Sequence, residues 1–214
     1  MREERIIALF KLGEKKYMEE LLHEGHVFMN TLSYFAKIED DSTRADPDEG
    51  TSYCLDGEGA RFRRKKGNEW QTIGSLSGAI KFRSDTLATA NIYCLHARTD
   101  RDYGQELKLD QLGFGKAYVL FLNYDEFQRR IQNAAMQLGQ NLQSGMVEYV
   151  SRTDYTGTMG VFRKFSEFAK HQEFRIVILP GTGRPLSLKL GDLSDIAIIG
   201  KTSEKLRLDI KTSK

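Results

Sequence analysis

Three polar clusters in the sequence adjoin apolar runs, where binding and catalytic sites are usually built. They are Lys11, the segment from Asn30 to Phe35, and the segment from His171 to Arg175. The first offers an ammonium group, the second offers amide and hydroxyl groups, and the third places a carboxylate two residues before a guanidinium. Because such groups can hold a charged or polar ligand, these clusters are the first candidates for a functional site.

The segment 173–179 has charged residues at Glu173 and Arg175 and is wholly apolar from residue 176 onward. The period of two in a strand places both charged side chains on one face, together with Val177 and Leu179. We therefore predict that the two charges lie at the rim of the core, close enough to form an ion pair. Two interpretations follow. The pair belongs to a functional site, or it is a structural ion pair, since charges near a core are rarely left unpaired.

A second candidate cluster lies in the segment 38–50, which is crowded with charge and is predicted to be a polar loop. It consists of Arg44, Asp46 and Glu49, in a segment that also has a proline and a glycine as turn points. The cluster is either a binding site that mixes both signs or a solvated acidic loop.

A basic run from Arg61 to Lys66 has five cationic residues around one phenylalanine, and Trp70 follows it. Flanking glycines predict a hairpin or surface excursion over residues 57–78. Basic residues interleaved with aromatic residues are typical of proteins that bind single-stranded nucleic acid, in which case Arg61, Arg63 and Arg64 contact its backbone. A solvated hairpin is the alternative interpretation.

The composition is that of an ordinary globular protein: 214 residues, 40% apolar, 29% charged and a net charge of +2. It predicts one domain over residues 1–214 that needs neither a disulfide nor a structural metal to fold. The first apolar run is too short for a secretion signal or a membrane span, so we expect a cytoplasmic protein without membrane contact. The phosphate-binding-loop, dinucleotide and zinc-protease patterns each fail at a required position, and no metal site is predicted.

The elements that must position these residues follow from hydrophobic periodicity and turn signals. We predict a helix over 14–24 that ends at Gly25, a helical turn over 31–35 with Asn30 as its N-cap, and a helix over 127–138 capped by Asn123. Many short strands without regular βαβ alternation predict an α+β fold. The predicted strands are 6–12, 26–30, 80–83, 90–95, 117–122, 146–150, 174–179, 185–190, 196–199 and 206–210.

Two groups of segments carry a resemblance to known proteins. The first group is LFKLG at 9–13, GHVFMNTLSYF at 25–35 and RADPDEG at 44–50, and the second is FRKF at 162–165, Phe168, QEFRIV at 172–177, PLSL at 185–188 and GD at 191–192. In both groups the chain resembles a largely uncharacterised family of bacterial and phage proteins. The matches cover most of the chain, but the family implies no established chemistry.

The order of the parts also resembles ADP-ribosyltransferases, especially small toxins that modify nucleic acids. The shared order is a strand, a helix, a second strand leading to a Ser or Tyr segment, and a Glu that heads a late strand. The resemblance implies a core of short, mostly antiparallel strands in a split sheet with a few helices, and NAD as a substrate. It implies that Lys11 holds NAD, that Asn30, Ser33 and Tyr34 pack around the nicotinamide, and that Glu173 is the catalytic carboxylate.

Two positions depart from that family. Its first-strand residue is usually His or Arg, whereas Lys11 can make only a point-charge contact. His171 stands where enzymes that modify arginine have Gln or Glu, which disfavours transfer to protein arginine. The resemblance implies cleavage of NAD through an oxocarbenium-like state, which is helped by a carboxylate at the ribose and a cation near the pyrophosphate. Glu173 with Arg44 or Lys11 can supply these charges. The candidate substrate-binding residues outside the basic run are Asp46, Glu49 and Arg175.

Three hypotheses follow for function. The first is an NAD-dependent ADP-ribosyltransferase that acts on a macromolecule, RNA or DNA, in bacterial toxin or phage-conflict biology, with an antitoxin or a phage or host protein as a further partner. The second is a non-enzymatic interaction module, a sensor or antagonist, in which Glu173 and Arg175 form a structural pair and the segment 38–50 is a recognition surface. The third is a domain that binds a nucleotide without turnover.

Overall fold

The structure is a computed structural model, and it describes residues 4–37 and 46–209. The helices in these residues are α1 (Lys15–Glu24), α2 (Leu32–Phe35), α3 (Asp85–Ala88) and α4 (Tyr124–Gln137), with 3-10 helices at Asp100–Asp102, Leu109–Leu112 and Ser166–His171. The strands are β1 (Ile6–Gly13), β2 (His26–Thr31), β3 (Thr51–Asp56), β4 (Arg61–Lys66), β5 (Glu69–Ser75), β6 (Ala79–Arg83), β7 (Asn91–Thr99), β8 (Glu106–Leu107), β9 (Ala117–Phe121), β10 (Leu142–Met146), β11 (Glu148–Val150), β12 (Gly157–Thr158), β13 (Arg163–Phe165), β14 (Glu173–Ile178), β15 (Leu186–Lys189), β16 (Ala197–Lys201) and β17 (Leu206–Arg207).

The largest sheet has eight strands and runs in the order β10-β14-β7-β1-β9-β16, with β2 on β7 and β15 on β2. All of its pairings are antiparallel, and the parallel pair among the described strands is β11 with β13. The prediction of a mixed α and β architecture with mostly antiparallel strands is therefore confirmed.

Strands β1 and β2 both pair with β7, but at different places along it. Phe10 of β1 lies opposite His96, whereas Asn30 of β2 lies opposite Ile92. Strand β14 covers the other edge of β7 from Asn91 to His96. The sheet therefore splits between β1 and β2, with β7 as the strand that both parts share.

The two faces of the sheet follow from the alternation of side chains along β7 and β14. Helices α1 and α4 pack on the face that carries Tyr93, Leu95, Phe174 and Ile176, and these residues belong to the largest core cluster. The opposite face carries a smaller apolar cluster that also takes in the start of α2. Its buried members are Leu32, Ala90, Ile92, Val161 and Val177.

The predicted ends of two helices are confirmed. Gly25 ends α1 in the left-handed conformation at φ 59°, and a Cβ there would lie 2.2 Å from the carbonyl oxygen of Gly191. Only glycine fits both the conformation and the contact. At the start of α4, the side-chain oxygen of Asn123 accepts a hydrogen bond from the backbone N–H of Glu126 at 3.1 Å.

Two predicted elements are wrong in detail. The N-cap of α2 is Thr31 and not Asn30, because the Thr31 hydroxyl accepts the backbone N–H of Tyr34. The predicted strand 146–150 is two strands, which separate at Val147. The chain leaves β14 there, since the next residue, Glu148, donates its backbone N–H to Phe162.

Several other strands differ from the predicted ranges at their ends. Strand β7 continues to Thr99 because β1 pairs with its second half. Strand β17 ends at Arg207 because its partner β8 has only two residues, and Ile210 lies outside the described residues. Strands β3, β8, β12 and β13 and the short helix α3 were not predicted.

The predicted hairpin over 57–78 is confirmed as β4 and β5. It lies in the connection between β3 and β6, and its base is closed by a hydrogen bond from the backbone N–H of Leu76 to the carbonyl of Ala60 at 2.8 Å. Among the described strands, β4 and β5 pair only with each other. We call residues 61–75 the basic arm.

Within the described residues, no helix combines the length and apolar character needed to cross a membrane.

Candidate functional site

Glu173 begins β14 and is only 5% exposed. Its Oε1 accepts a hydrogen bond from Lys164 Nζ at 2.8 Å, and its Oε2 accepts one from Arg175 Nε at 2.9 Å. The backbone N–H of Glu173 donates to the hydroxyl of Tyr149 at 2.9 Å. The carboxylate is thus held between two cations, and the predicted ion pair with Arg175 is confirmed.

The guanidinium of Arg175 is 1% exposed and links two distant parts of the chain. It donates to Glu49 through Nη1 and Nη2 and to the backbone carbonyl of Val161 at 2.7 Å. Bidentate pairs of this kind fix orientation as well as charge. Arg175 therefore anchors the segment before β3 against the central sheet.

Lys164, on β13, completes the group. Besides Glu173, its ammonium lies 3.4 Å from Oε2 of Glu49 and 3.8 Å from Oδ2 of Asp46. Sequence analysis did not identify Lys164. Two features of the sequence could have pointed to it. Buried carboxylates require a cation, and Lys164 lies in the segment 162–165, which is one of those that resemble the bacterial and phage family. We call Asp46, Glu49, Lys164, Glu173 and Arg175 the buried ion cluster.

The structure corrects the exposure expected from the sequence for two groups of these residues. The pair of Glu173 and Arg175 lies inside the protein and not at its rim, because β10 and β7 flank β14 and other segments cover its charged face. Asp46 and Glu49 are 2% and 6% exposed, so this part of the segment 38–50 is not a solvated loop. Their side chains turn inward because Lys164 and Arg175 lie there.

The charges of the cluster set the ionisation of its acids. Burial alone would raise the pKa of Glu173, but Arg175, Lys164 and a hydrogen bond from His171 outweigh it and hold that pKa well below its usual range. Burial and the nearby Glu49 raise the pKa of Asp46 to about 6, against the partial compensation of Lys164. Glu173 is therefore an anion over the whole physiological range, and Asp46 is the acid of the cluster that changes charge near neutrality.

Two buried histidines border the cluster. Nδ1 of His171 lies 3.6 Å from Oε1 of Glu173, and the carbonyl of His171 is hydrogen-bonded to Nδ1 of His96 at 2.7 Å. Burial lowers the pKa of His96 to about 4. Among the described residues, Nε2 of neither histidine has a hydrogen-bond partner.

Lys11 lies on the face of the sheet opposite to Glu173. Its position in β1 alternates with that of Phe10, and its ammonium lies 4.1 Å from the ring centroid of Tyr93, a member of the core under α1 and α4. The ammonium also donates to the carbonyl of Cys94 at 2.9 Å, at the split between β1 and β2. The structure therefore does not bring Lys11 to the carboxylate of Glu173.

The segment that was predicted to surround a nicotinamide lies at the other end of β7. Asn30 is paired with Ile92, and Glu173 is paired with His96, so about 13 Å of strand separates the two positions. The three predicted residues of this segment are held locally or exposed. Asn30 accepts the backbone N–H of Thr31, Ser33 bonds the Thr31 hydroxyl, and Tyr34 is 51% exposed.

The remaining predicted residues that the structure describes are outside the cluster. Arg44 lies outside the described residues. Arg61, Arg63 and Arg64 lie on the exposed basic arm, which is joined to the cluster region through β3 and β6. There Lys81 of β6 donates to Asp48, which also binds Arg152.

Comparisons with known proteins found no match. No family model matches the chain, and neither do the curated proteins or the solved structures. The two resemblances stay predictions.

That geometry defines what the site can do. Within residues 4–37 and 46–209, no three His, Cys, Asp or Glu side chains are arranged to hold a metal ion. The cluster instead holds one ionised carboxylate at the head of a central strand between an ammonium and a guanidinium. Such a carboxylate can stabilise positive charge that develops on a bound ligand.

Proposed function

We propose that this protein is a cytoplasmic, NAD-dependent ADP-ribosyltransferase that modifies a macromolecule, with RNA or DNA as the acceptor. The observation that carries the proposal is Glu173, which heads a central strand and is held ionised by Lys164 and Arg175. Cleavage of the glycosidic bond of NAD develops positive charge on the ribose, and a fixed carboxylate stabilises that charge. Glu173 supplies this carboxylate.

The split of the sheet supports an ADP-ribosyltransferase-like core. Strands β1 and β2 part at the middle of β7, and Glu173 lies on the strand that covers the opposite edge of β7. In this proposal Lys164 is the cation beside the catalytic carboxylate, because Lys11 lies on the opposite face. His171 and Lys164 lie against the carboxylate, so their segments must move when NAD reaches Glu173.

A second candidate is an interaction module without turnover. Both carboxylate oxygens of Glu173 and both of Glu49 accept hydrogen bonds from cations of the protein itself. This arrangement favours the interaction module, because a structural ion cluster needs no ligand. The two candidates differ in one observable, since only the transferase releases nicotinamide.

The test is release of nicotinamide by the purified protein from NAD labelled on its adenylate part. Total RNA, DNA and cell lysate serve as separate acceptors. We expect label on one macromolecule class, loss of the label with Glu173→Gln, and retention with Glu148→Gln. Glu148 is the matched control because it lies on nearby β11 with an exposed side chain that pairs with Arg163.

The wild-type protein decides the outcome even if a variant fails to fold. No nicotinamide release with any of the acceptors would overturn the transferase proposal. If Glu173→Gln unfolds, Glu173→Asp keeps the negative charge beside Lys164 and Arg175 but shortens its reach. We then expect reduced turnover in a protein whose urea midpoint is close to that of wild type.

A further inference from the structure

We infer that one face of the basic arm binds single-stranded nucleic acid, with Trp70 as the platform on which a base stacks. The inference takes the nucleic-acid acceptor from the proposed function. Binding itself requires no NAD and no turnover, so it is tested separately.

The arm has two faces of different character. Along β4, side chains alternate, so Arg61, Arg63 and Lys65 share one face. The pairing register shifts between Phe62 and Arg63, and the extra residue, Ile73, lies on β5, so the alternation of β4 itself is kept. Lys65 lies directly opposite Trp70, and Arg63 lies opposite Thr72. Because directly opposed residues of an antiparallel pair point to the same side, Trp70 lies on the face of those three cations. We call this the Trp70 face.

The other face carries Arg64 and Lys66. Lys66 lies directly opposite an acidic residue, Glu69, and Arg64 lies opposite Gln71. The sequence prediction grouped Arg64 with Arg61 and Arg63, but strand alternation separates it from them. The Trp70 face therefore has three cations and no acid among its arm residues, whereas the opposite face mixes both signs.

The arm buries none of these side chains. Every residue of β4 and β5 is exposed, and Trp70 is 62% exposed. A tryptophan contributes most to stability when it is buried, so an exposed one flanked by cations is not explained by the core. Gly67, at φ 63° in the tight turn after Lys66, closes the hairpin and aligns its strands without support from the body.

Single-stranded nucleic acid fits this surface because it presents phosphates and unstacked bases together. Arginine and lysine side chains track the phosphates, and an aromatic ring accepts the face of any base. A duplex keeps its bases stacked and cannot use Trp70 in this way. A protein partner is the alternative occupant, and it would use Phe62 and Ile73, which are 57% and 59% exposed.

The experiment uses the fluorescence of Trp70, which is the single tryptophan of the chain. The full-length protein is titrated without NAD with poly(dT) and poly(rU) strands of about 16 nucleotides, and with the matching duplex. We expect saturable quenching by the single strands and little by the duplex. A preference between poly(dT) and poly(rU) shows which of the two nucleic acids the arm binds more tightly.

Two variants test the face, with binding followed by fluorescence anisotropy of labelled strands. Trp70→Ala is expected to weaken binding about tenfold or more through loss of stacking. Lys65→Ala is expected to reduce the slope of log affinity against log salt by about 0.7, the value for one phosphate contact in a single strand. Lys66→Ala is the matched control, an adjacent lysine on the opposite face, and its effect should be smaller.

Several results would overturn the inference. They are no binding of single strands, binding without any change in Trp70 fluorescence, and equal effects of the Lys65 and Lys66 substitutions. Capture of a protein that depends on Phe62 and Ile73, with no nucleic-acid binding, would also overturn it. Nicotinamide release without strand binding would support the transferase proposal and contradict the inference that the basic arm binds single-stranded nucleic acid.

Discussion

The guanidinium of Arg175 and the carboxylate of Glu49 form two parallel hydrogen bonds, 2.9 Å from Nη1 to Oε1 and 2.7 Å from Nη2 to Oε2. The two residues are 126 positions apart in the sequence. This pair fixes the segment before β3, and through β3 and β6 it fixes the base of the basic arm. The candidate catalytic carboxylate and the candidate acceptor surface are therefore parts of one connected structure.

Removal of Glu49 should destabilise the protein strongly. Glu49→Ala removes the bidentate partner of Arg175, which is 1% exposed, and leaves Glu173 as its remaining carboxylate partner. We expect the free energy of unfolding to fall by about 3 kcal/mol, as measured by urea denaturation at neutral pH. Glu148→Ala, which removes the exposed partner of Arg163, is the control and should change it little. Equal losses in the two variants would contradict the structural role of the buried pair.

Asp46 should make the protein less stable as pH rises. Burial and Glu49 raise its pKa from 3.8 to about 6, so the folded state holds the proton more tightly than the unfolded chain does. The stability that this proton contributes is complete below about pH 3.8 and is lost as pH rises through about 6. Asp46→Asn should therefore gain stability relative to wild type over this range, by up to about 3 kcal/mol.

Asp48 provides a control of opposite sign two residues away. Burial alone would raise its pKa, but hydrogen bonds from Lys81 and Arg152 outweigh this and lower it. Its contribution to stability is therefore present above its ordinary pKa and is lost as pH falls. Asp48→Asn should therefore be less stable than wild type at every pH above about 4, and the difference should shrink as pH falls below that value. Urea midpoints measured from pH 2 to pH 8 test both variants, and curves parallel to that of wild type over this whole range would show that these charges do not titrate as described.

Local patterns in the sequence predicted the elements that depend on near neighbours. Alternation placed Glu173 and Arg175 on one face, and Gly25 and Asn123 were recognised because helix ends need specific conformations and caps. The cap of α2 was placed one residue early because Asn30 and Thr31 are both good N-cap residues. Local signals of this kind locate an element but do not decide between adjacent residues.

The buried ion cluster could not be predicted in the same way. The many charges around Asp46 and Glu49 indicate a solvated loop, unless it is known that Lys164 and Arg175 lie inside. Those partners are far away in the sequence, and periodicity carries no information about distant contacts. Placement of Lys11 and Glu173 on opposite faces also depends on the register of β1, β7 and β14, which tertiary packing sets.

Lys164, and not Lys11, should control the ionisation of Glu173. Lys164 lies 2.8 Å from the carboxylate, whereas Lys11 lies on the opposite face of the sheet. Lys164→Gln should raise the pKa of Glu173, because a cation that favours its charged form is lost, and should move the acid limb of nicotinamide release to higher pH. Lys11→Gln should leave that limb in place. An equal shift in both variants would show that Lys164 has no specific role.

The basic arm should be dispensable for folding but required for nucleic-acid binding. Its strands pair only with each other, and Leu76 and Ala60 are already hydrogen-bonded at its base. Replacement of residues 61–75 by Asn-Gly should therefore change the free energy of unfolding by less than about 0.5 kcal/mol. Because Trp70 is removed with the arm, unfolding is followed by circular dichroism and strand binding by anisotropy. We expect binding to be lost, while nicotinamide release in the absence of acceptor stays as in wild type. A large loss of stability would show instead that the arm packs on the body of the protein and that its exposed face is not free for a ligand.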